Sequence, residues 1–513
     1  MRPHILLPTI LFVLLLSLLL GTRMIFASDF FFLVDQARDM LLVQDIVDNK
    51  NITLIGTHSG LGGFFHGPLW LYLLIPFYIV GSGDPLAFTY AYVLIALLTV
   101  LGAYFVASLL YGKKAGLLAA FLLAVSPSIW MPVPNTIGVN MVPLVFLPMF
   151  YFLVRYIRGD AKAFIYAIFF AGLSLQFETA LPLIILPVVL LSFFLNKNAI
   201  KNVKVIALSF VSLGVSLATF ILFDVRHDFL MTRSLLMLFT SGKREEGYME
   251  YPERFVSHVQ SLRSVYESVL INRSFLLEIV LIVIVIAFVA LAMKQKLYKK
   301  KEGKELVYLA LFPLIIFTLY LFYAYPVFPE YVFGLTIPVA LALTVIIKNL
   351  WSNSIGKALA ILFFSITLIT AGQMIYKNYF TPYTMDMTSG SYQNQKKVTE
   401  WIYNDSKAQS FGYFVYTPST YTYTMDYLLW WESKLQGKAK PESNKLPITY
   451  LILYPTLAND LGAHAFWKKT KVRTEGKVLQ RKVFEGDIVV EKLAIDPKEP
   501  PADPTYNQEL IFR

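Results

Sequence analysis

The feature that most limits what this chain can fold into is a series of long apolar runs. They recur from residue 5 to residue 376, and several approach the roughly 20 residues that a helix needs to cross a bilayer. With 56% of the chain hydrophobic, a water-soluble fold is excluded. We predict a polytopic α-helical membrane protein whose membrane domain covers residues 1–377.

Eleven of these runs are predicted membrane spans, and a further apolar segment at 68–80 is shorter. The spans fall at 5–26, 86–110, 115–130, 141–154, 163–177, 181–195, 205–223, 275–293, 306–324, 331–347 and 357–376. Cytoplasmic loops carry an excess of Lys and Arg, and all the basic loops fall inside only if 68–80 is half-inserted. We therefore predict a cytoplasmic N-terminus, an uncleaved first span and interfacial helices in a first outer loop at about 27–85.

Residues 378–513 have a different composition and predict a soluble α/β domain outside the cytoplasm. Strand-like runs at 411–418, 448–455 and 482–493 alternate with polar, Gly- and Pro-containing turns. The terminal stretch DPKEPPADPTYNQ is rich in Pro and charge, which predicts a flexible tail.

Charge and cysteine content narrow the function. The net charge of +11 comes largely from short basic clusters between apolar runs, where it signals topology rather than nucleic-acid binding. The chain has no cysteine, so disulfides, thiolate metal sites and cysteine nucleophiles are excluded. Any chemistry must use Asp, Glu, His, Arg, Lys or Tyr.

The first outer loop contains an acidic segment with helical periodicity, VDQARDMLLVQDIVD. On a helix, Asp35 and Asp39 lie one turn apart and Arg38 lies beside both. Two carboxylates and a guanidinium at the membrane surface suit general-base chemistry next to an anionic group. The alternative is that these charges only solvate the outer face of an interfacial helix.

A histidine follows at the start of the half-inserted segment. His66 in FFHGPL would sit at headgroup depth, where it is able to contact a phosphate, whereas His58 lies in an apparent turn and is a weaker candidate. The alternative for His66 is a purely structural histidine.

Three features follow one another along the chain: a first span, an Asp-containing interfacial helix, and a His-Gly-Pro-Leu start to an aromatic helix. In this order they resemble the GT-C superfamily of membrane glycosyltransferases. The nearest match is the group of protein O-mannosyltransferases and lipid A aminoarabinose transferases. The resemblance implies that Asp35 is the catalytic base of an inverting sugar transfer from a polyprenyl phosphate. Gln36 stands where that group often has an acid, which leaves Asp39 as a substitute, and HGPL replaces the usual basic-Pro-Pro pattern.

The resemblance also nominates residues in other predicted outer loops. By position in QFET, FDVRHDF and PEY they are Glu178 as a secondary catalytic or substrate-binding residue, and Arg226, His227 and Tyr331, with His66, as ligands of the lipid phosphate. Glu178 departs from the Lys of the aminoarabinose transferases, and we expect a basic partner for it. The alternative for Arg226 and His227 is headgroup anchoring.

Cofactor motifs are sparse. No HxH, HExxH or EF-hand spacing occurs, so a divalent metal stays an open alternative and no cofactor is required. There is no phosphate-binding loop next to a strand and helix, which disfavours a nucleotide-sugar donor.

We therefore predict a multi-pass plasma-membrane glycosyltransferase that uses a polyprenyl-phosphate sugar and a glycan, lipid or protein acceptor, without nucleic acid. The main alternative is a transporter or lipid flippase, for which we would expect charges near the bilayer midplane. A third alternative is a catalytically silent sensor or assembly protein that binds a partner through its C-terminal domain. Eleven spans are more than such a protein needs as a membrane anchor.

Overall fold

Apolar helices account for most of the first 380 residues in the computed structural model. The structure describes residues 3–59, 63–132, 137–240, 248–297, 301–381, 388–407, 410–419, 421–438, 440–456 and 462–507. The helices are α1 (Pro3–Gly21), α2 (Arg23–Phe26), α3 (Val34–Asp48), α4 (Leu69–Val80), α5 (Pro85–Tyr111), α6 (Lys113–Ala124), α7 (Pro127–Trp130), α8 (Val142–Ile157), α9 (Ala163–Ser174), α10 (Ala180–Ser192), α11 (Lys197–Ile200), α12 (Val203–Ser216), α13 (Ala218–Arg226), α14 (Leu230–Thr240), α15 (Tyr251–Glu267), α16 (Phe275–Lys294), α17 (Lys301–Tyr320), α18 (Thr336–Leu350) and α19 (Ser354–Phe380).

Local signals in the sequence set the ends of the longest helices. Asp84 caps α5 by accepting a hydrogen bond from the backbone N–H of Leu86 at 2.8 Å, and Pro85 occupies the first turn, where no N–H is needed. The helix ends before Gly112, which has a φ of 93°. Glycine can adopt this positive φ at no steric cost because it has no Cβ atom. Asn353 caps α19 in the same way, through the N–H of Gly356.

The predicted membrane-protein class is confirmed, but the count of eleven spans is not. Within the described residues, six helices are long and apolar enough to cross a bilayer, or seven if the bent pair α12 and α13 is one span. Four further apolar helices have 10–17 residues, including α4. At 1.5 Å per residue, the 12 residues of α4 extend about 18 Å, which is too short to cross.

The basic loops that the sequence assigns to one side do meet at one end of the bundle. Arg158 pairs with Glu305 of α17 at 2.6 Å and donates to the carbonyl of Leu110 at 3.2 Å. Asn196 donates to the carbonyl of Tyr156 at 3.1 Å. The C-terminal domain contacts Gly83 and Asp84 at the other end of α5, through Tyr427 and Tyr392.

The C-terminal domain is built on a four-stranded mixed sheet. Its elements are α20 (Tyr392–Ser406), β1 (Gly412–Tyr416), α21 (Tyr423–Leu435), β2 (Ile448–Leu453), α22 (Ala463–Trp467), β3 (Lys477–Val483) and β4 (Val489–Ala494). The strand order is β1-β2-β4-β3, with β1 and β2 parallel and the other pairs antiparallel. The predicted strand run at 482–493 is divided between β3 and β4 by a turn at Glu485–Asp487.

The described part of the C-terminal tail has defined contacts. Glu499 pairs with Lys445 at 3.0 Å, Asp503 pairs with Arg473 at 3.1 Å, and the ring of Tyr506 packs on that of Phe414. These contacts run against the flexibility predicted for this stretch, while residues 508–513 lie outside the described residues.

The segment at about 27–85, the predicted first outer loop, joins the two parts of the molecule. The backbone N–H of Phe32 donates to Gly390, that of Tyr392 donates to Phe30, and the Ser391 hydroxyl donates to buried Asp29 at 2.8 Å. The hydroxyl of Tyr427 in α21 donates to the carbonyl of Gly83 at 2.7 Å. Helix α3 is thereby packed between α4 and α21, directly under the C-terminal domain.

Candidate functional site

The acidic segment forms the predicted helix, α3, and Gln36 has a clear part in starting it. The Gln36 side-chain oxygen accepts a hydrogen bond from the N–H of Leu33 at 2.8 Å, which satisfies a backbone donor at the helix N-terminus. Gln36 is fully buried. The residue that departs from the family pattern is therefore a helix cap.

Arg38 bridges the two carboxylates as the spacing predicts. Its Nη1 lies 2.7 Å from Asp35 Oδ1 and its Nη2 lies 3.1 Å from Asp39 Oδ1. The Asp35 side chain is 60% exposed, whereas that of Asp39 is 2% exposed. The indole N–H of Trp70 in α4 donates to the other oxygen of Asp39 at 2.9 Å. A chain of contacts thus runs from buried Trp70 to accessible Asp35.

Burial and charge act in opposite directions on this chain. Burial raises the pKa of Asp39 to about 6, although the Arg38 charge and the Trp70 hydrogen bond work to lower it. Burial alone would lower the pKa of Arg38, but the neighbouring Asp39 and Asp35 carboxylates outweigh it and raise that pKa. At neutral pH Arg38 is therefore charged, and Asp39 is mostly ionised.

A cavity of about 180 Å³ opens over this chain of contacts. Its walls come from the predicted first outer loop and from three loops that are distant in sequence. It is lined by Asp35, Arg38, Asp39, Gly56, Thr57, His58, His66, Gly67, Trp70, Leu71, Ile137, Gly138, Val139, Phe177, Glu178, Glu330 and Tyr331. Six of the eight predicted site residues are among them.

Glu178 lies in the cavity wall, and among the residues that the structure describes it has no basic partner of the kind that we expected. Its Oε1 accepts hydrogen bonds from the backbone N–H groups of Thr179 and Ala180, each at 2.7 Å, at the start of α10. Burial raises its pKa to about 7, these two hydrogen bonds oppose the shift, and the charge of Glu330 adds to it. The carboxyl group therefore changes charge near neutral pH.

His66 is held in place by its backbone and by close packing of the next residue. Its N–H donates to Thr57 and its carbonyl accepts from Gly56. A side chain at Gly67 would collide with Gln176, which accounts for glycine in HGPL. Burial first, then the charges of Arg38 and His58, lower the pKa of His66 to about 3. The ring is neutral, so it can offer a hydrogen bond to a phosphate but not a charge.

Arg226 and His227 are not brought to the cavity. Arg226 is exposed at the end of α13. The His227 ring stacks on Phe223 at 4.0 Å, with its Nδ1 2.7 Å from the carbonyl of that residue, and Phe223 packs on Phe65. Neither predicted phosphate ligand lines the cavity, and His227 is separated from His66 by the packed rings of Phe223 and Phe65.

Sequence reasoning missed Trp70 and Glu330. Glu330 directly precedes Tyr331 and could have been found from that position, whereas Trp70 meets Asp39 across 31 positions, for which the sequence carries no local signal. Among the described residues no three His, Asp or Glu side chains are grouped so that they could hold a metal ion. In the described lining, Arg38 carries the permanent positive charge.

Comparisons with known proteins bear on this geometry. The family of dolichyl-phosphate-mannose-protein mannosyltransferases matches residues 66–224. No curated protein matches in sequence. ArnT from Cupriavidus metallidurans bound to undecaprenyl phosphate is similar, with a TM-score of 0.56 and 11% identity over 95% of this chain and 97% of that chain. Its apo structure gives 0.55 and 12% over the same shares. The shared fold confirms the predicted resemblance.

Proposed function

We propose that this chain, which has the fold of the GT-C membrane glycosyltransferases, moves a sugar from a polyprenyl-phosphate donor to an acceptor hydroxyl on the extracytoplasmic side of the plasma membrane. The single observation that carries the proposal is the cavity in which accessible Asp35 is tied to Arg38 beneath the C-terminal domain. The undecaprenyl phosphate named in the similar ArnT structure supports a lipid-phosphate donor.

The reaction would be a single displacement with inversion. The acceptor oxygen attacks the anomeric carbon, Asp35 takes the acceptor's proton, and the bond from that carbon to the phosphate oxygen breaks with its electron pair leaving on the phosphate. Asp35 suits this role because it is the accessible carboxylate of the chain of contacts. Asp39, buried and bonded to Trp70, is better placed to orient Arg38.

The departing phosphate gains negative charge and needs donors in the cavity. Arg38 can supply a charge, and His66 and Tyr331 can supply neutral hydrogen bonds from the same cavity. Arg226 and His227 remain predicted phosphate ligands, although neither lines the cavity, and the stacking of His227 on Phe223 favours an anchoring role for that histidine. Glu178 is proposed as a substrate-binding residue whose charge depends on pH.

A donor-cleavage assay tests the proposal. The purified chain in liposomes is supplied with a panel of undecaprenyl-phosphate monosaccharides, and release of undecaprenyl phosphate is followed. Cleavage of one donor is expected, with water taking the place of the acceptor hydroxyl as the attacking group and receiving the sugar. A transporter or flippase would move donors across the bilayer intact, so translocation without cleavage across the whole panel would overturn the proposal in favour of that alternative.

The proposed orientation has its own test. Because the chain lacks cysteine, Gln480→Cys on exposed β3 and Ser352→Cys in the exposed turn before α19 each introduce a lone thiol. An impermeant thiol reagent applied to intact cells should label the first and spare the second. The reverse pattern would place the C-terminal domain in the cytoplasm.

A further inference from the structure

The connection between β1 and α21 lies at the edge of the C-terminal sheet where the two parallel strands have their carboxyl ends. Strands β1 and β2 are parallel, with Tyr416 paired to Leu453 at their carboxyl ends, and the chain from Thr417 leads directly into α21. Open α/β sheets bind ligands outside the carboxyl ends of their strands. Helix α21 packs on α3, so this edge lies next to the helix that carries Asp35.

Two tyrosines stand at the junction. The rings of Tyr421 and Tyr423 lie 5.4 Å apart with planes at 39°, and both belong to the hydrophobic cluster shared with α3. Tyr423 is 6% exposed, and its hydroxyl has no hydrogen-bond partner among the described residues. Burial raises the pKa of the Tyr423 hydroxyl to about 12, and the charges of Arg38 and Asp35 act on that pKa in opposite directions. Tyr423 therefore stands at the start of α21, the helix that packs on α3, which carries the proposed base.

The backbone around these tyrosines is firmly anchored. The Thr417 hydroxyl donates to the carbonyl of Tyr421 at 2.9 Å. The Thr422 hydroxyl donates to half-buried Asp426 at 2.6 Å, and Tyr413 donates to the other oxygen of that carboxylate at 2.8 Å. The position of Tyr423 is thus fixed before any substrate arrives, which lowers the entropic cost of binding.

The chemistry of this segment selects a class of ligand. Residues 410–425 contain no charged side chain and are rich in hydroxyl groups and aromatic rings. An anionic or cationic acceptor would call for opposite charges here. Rings that cover an apolar face, with hydroxyls at their edges, match a neutral sugar ring, which has C–H faces and a rim of hydroxyl groups.

We propose that the C-terminal domain completes the site from above, with Tyr421 and Tyr423 binding a neutral glycan acceptor so that one of its hydroxyls reaches Asp35. This rests on the proposed function and deepens it. Tyr421 packs on the sugar face, and the Tyr423 hydroxyl bonds to the sugar rim.

The test measures transfer in liposomes from the cleaved undecaprenyl-phosphate sugar to octyl glucoside, octyl mannoside and octyl galactoside. Wild type is expected to glycosylate at least one of them. Tyr423→Phe, which keeps the ring, should raise the acceptor KM roughly fivefold with little change in kcat or donor KM, the effect of one neutral hydrogen bond. Tyr421→Ala should raise the acceptor KM further. Leu479→Ala, an exposed change on β3, serves as the control.

The outcomes separate this inference from the function on which it rests. Donor cleavage by water with no transfer to any octyl glycoside overturns the glycan acceptor and leaves the proposed function standing. Transfer with an unchanged acceptor KM in Tyr423→Phe and Tyr421→Ala overturns the role of these tyrosines. If no donor is cleaved, the proposed function fails and the inference fails with it.

Discussion

Replacing Trp70 by Phe tests the chain of contacts that leads to Asp35. The change keeps most of the ring but removes the indole N–H that donates to buried Asp39 at 2.9 Å. A hydrogen bond to a charged group contributes about 1.5–3 kcal/mol, and one pKa unit corresponds to about 1.36 kcal/mol. The pKa of Asp39 should therefore rise by roughly 1–2 units from its value of about 6.

The sign of the effect follows from which form of Asp39 holds Arg38. Only the ionised carboxylate pairs with Arg38, so activity should fall as pH drops through the pKa of Asp39. In Trp70→Phe this acid limb should move upward by at least about one unit, with activity recovered at higher pH. A variant that merely damaged the fold would lose activity at every pH.

The assay is the pH dependence of kcat/KM for donor cleavage, measured from pH 5 to 9. Trp130→Phe is the matched control, because its indole donates at 3.1 Å to the carbonyl of Val125, away from the cavity. Glu178→Gln is combined with each variant to remove the other carboxyl group that titrates near neutral pH. An acid limb in the same place for Trp70→Phe and Trp130→Phe would refute the reasoning.

Three further predictions concern stability and pH. Arg158→Met leaves Glu305 buried without its partner and should lower the free energy of unfolding, measured by melting in detergent, by roughly 3 kcal/mol. Arg155→Met breaks a half-exposed ion pair and should lower it by less than about 1 kcal/mol. Equal losses in the two variants would contradict this prediction. The pKa of Glu178 is raised to about 7, so the folded state binds this proton more tightly than the unfolded state and loses stability as pH rises through that value. Glu178→Gln should abolish this part of the decline in the melting midpoint. An unaltered decline in the variant would count against the prediction. Tyr427→Phe removes the bond to Gly83 and should lower the free energy of unfolding by about 1–2 kcal/mol, which an unchanged midpoint would disprove.

Local spacing was sufficient to predict part of the site. Asp35, Arg38 and Asp39 lie within one turn of a helix, so their contacts follow from helical geometry. Glu178 and Tyr331 were nominated by resemblance and by their place in loops assigned to one face, and both line the cavity.

The remaining differences have long-range causes. Spacing cannot show that the indole of Trp70 reaches Asp39 across 31 positions, or that Glu178 is satisfied by the amides of its own helix start. A basic residue at a span end is a candidate phosphate ligand whatever its final position, and Arg226 is exposed and does not line the cavity. The sequence predicts full spans where the structure has short helices such as α6 and α9, because apolar composition alone does not fix where a helix ends.

The most direct test of the account is single-turnover donor cleavage by Asp35→Asn. The amide keeps the shape of the side chain but cannot accept the acceptor's proton, and loss of a general base costs about 10²–10⁴-fold in rate. Asp45→Asn is the control, since Asp45 is on the same helix, bonds only to nearby Asn49 and Asn51 among the described residues, and does not line the cavity. We predict a loss of that size for Asp35→Asn with near-normal turnover for Asp45→Asn. Full turnover by Asp35→Asn would contradict the assignment of Asp35 as the base.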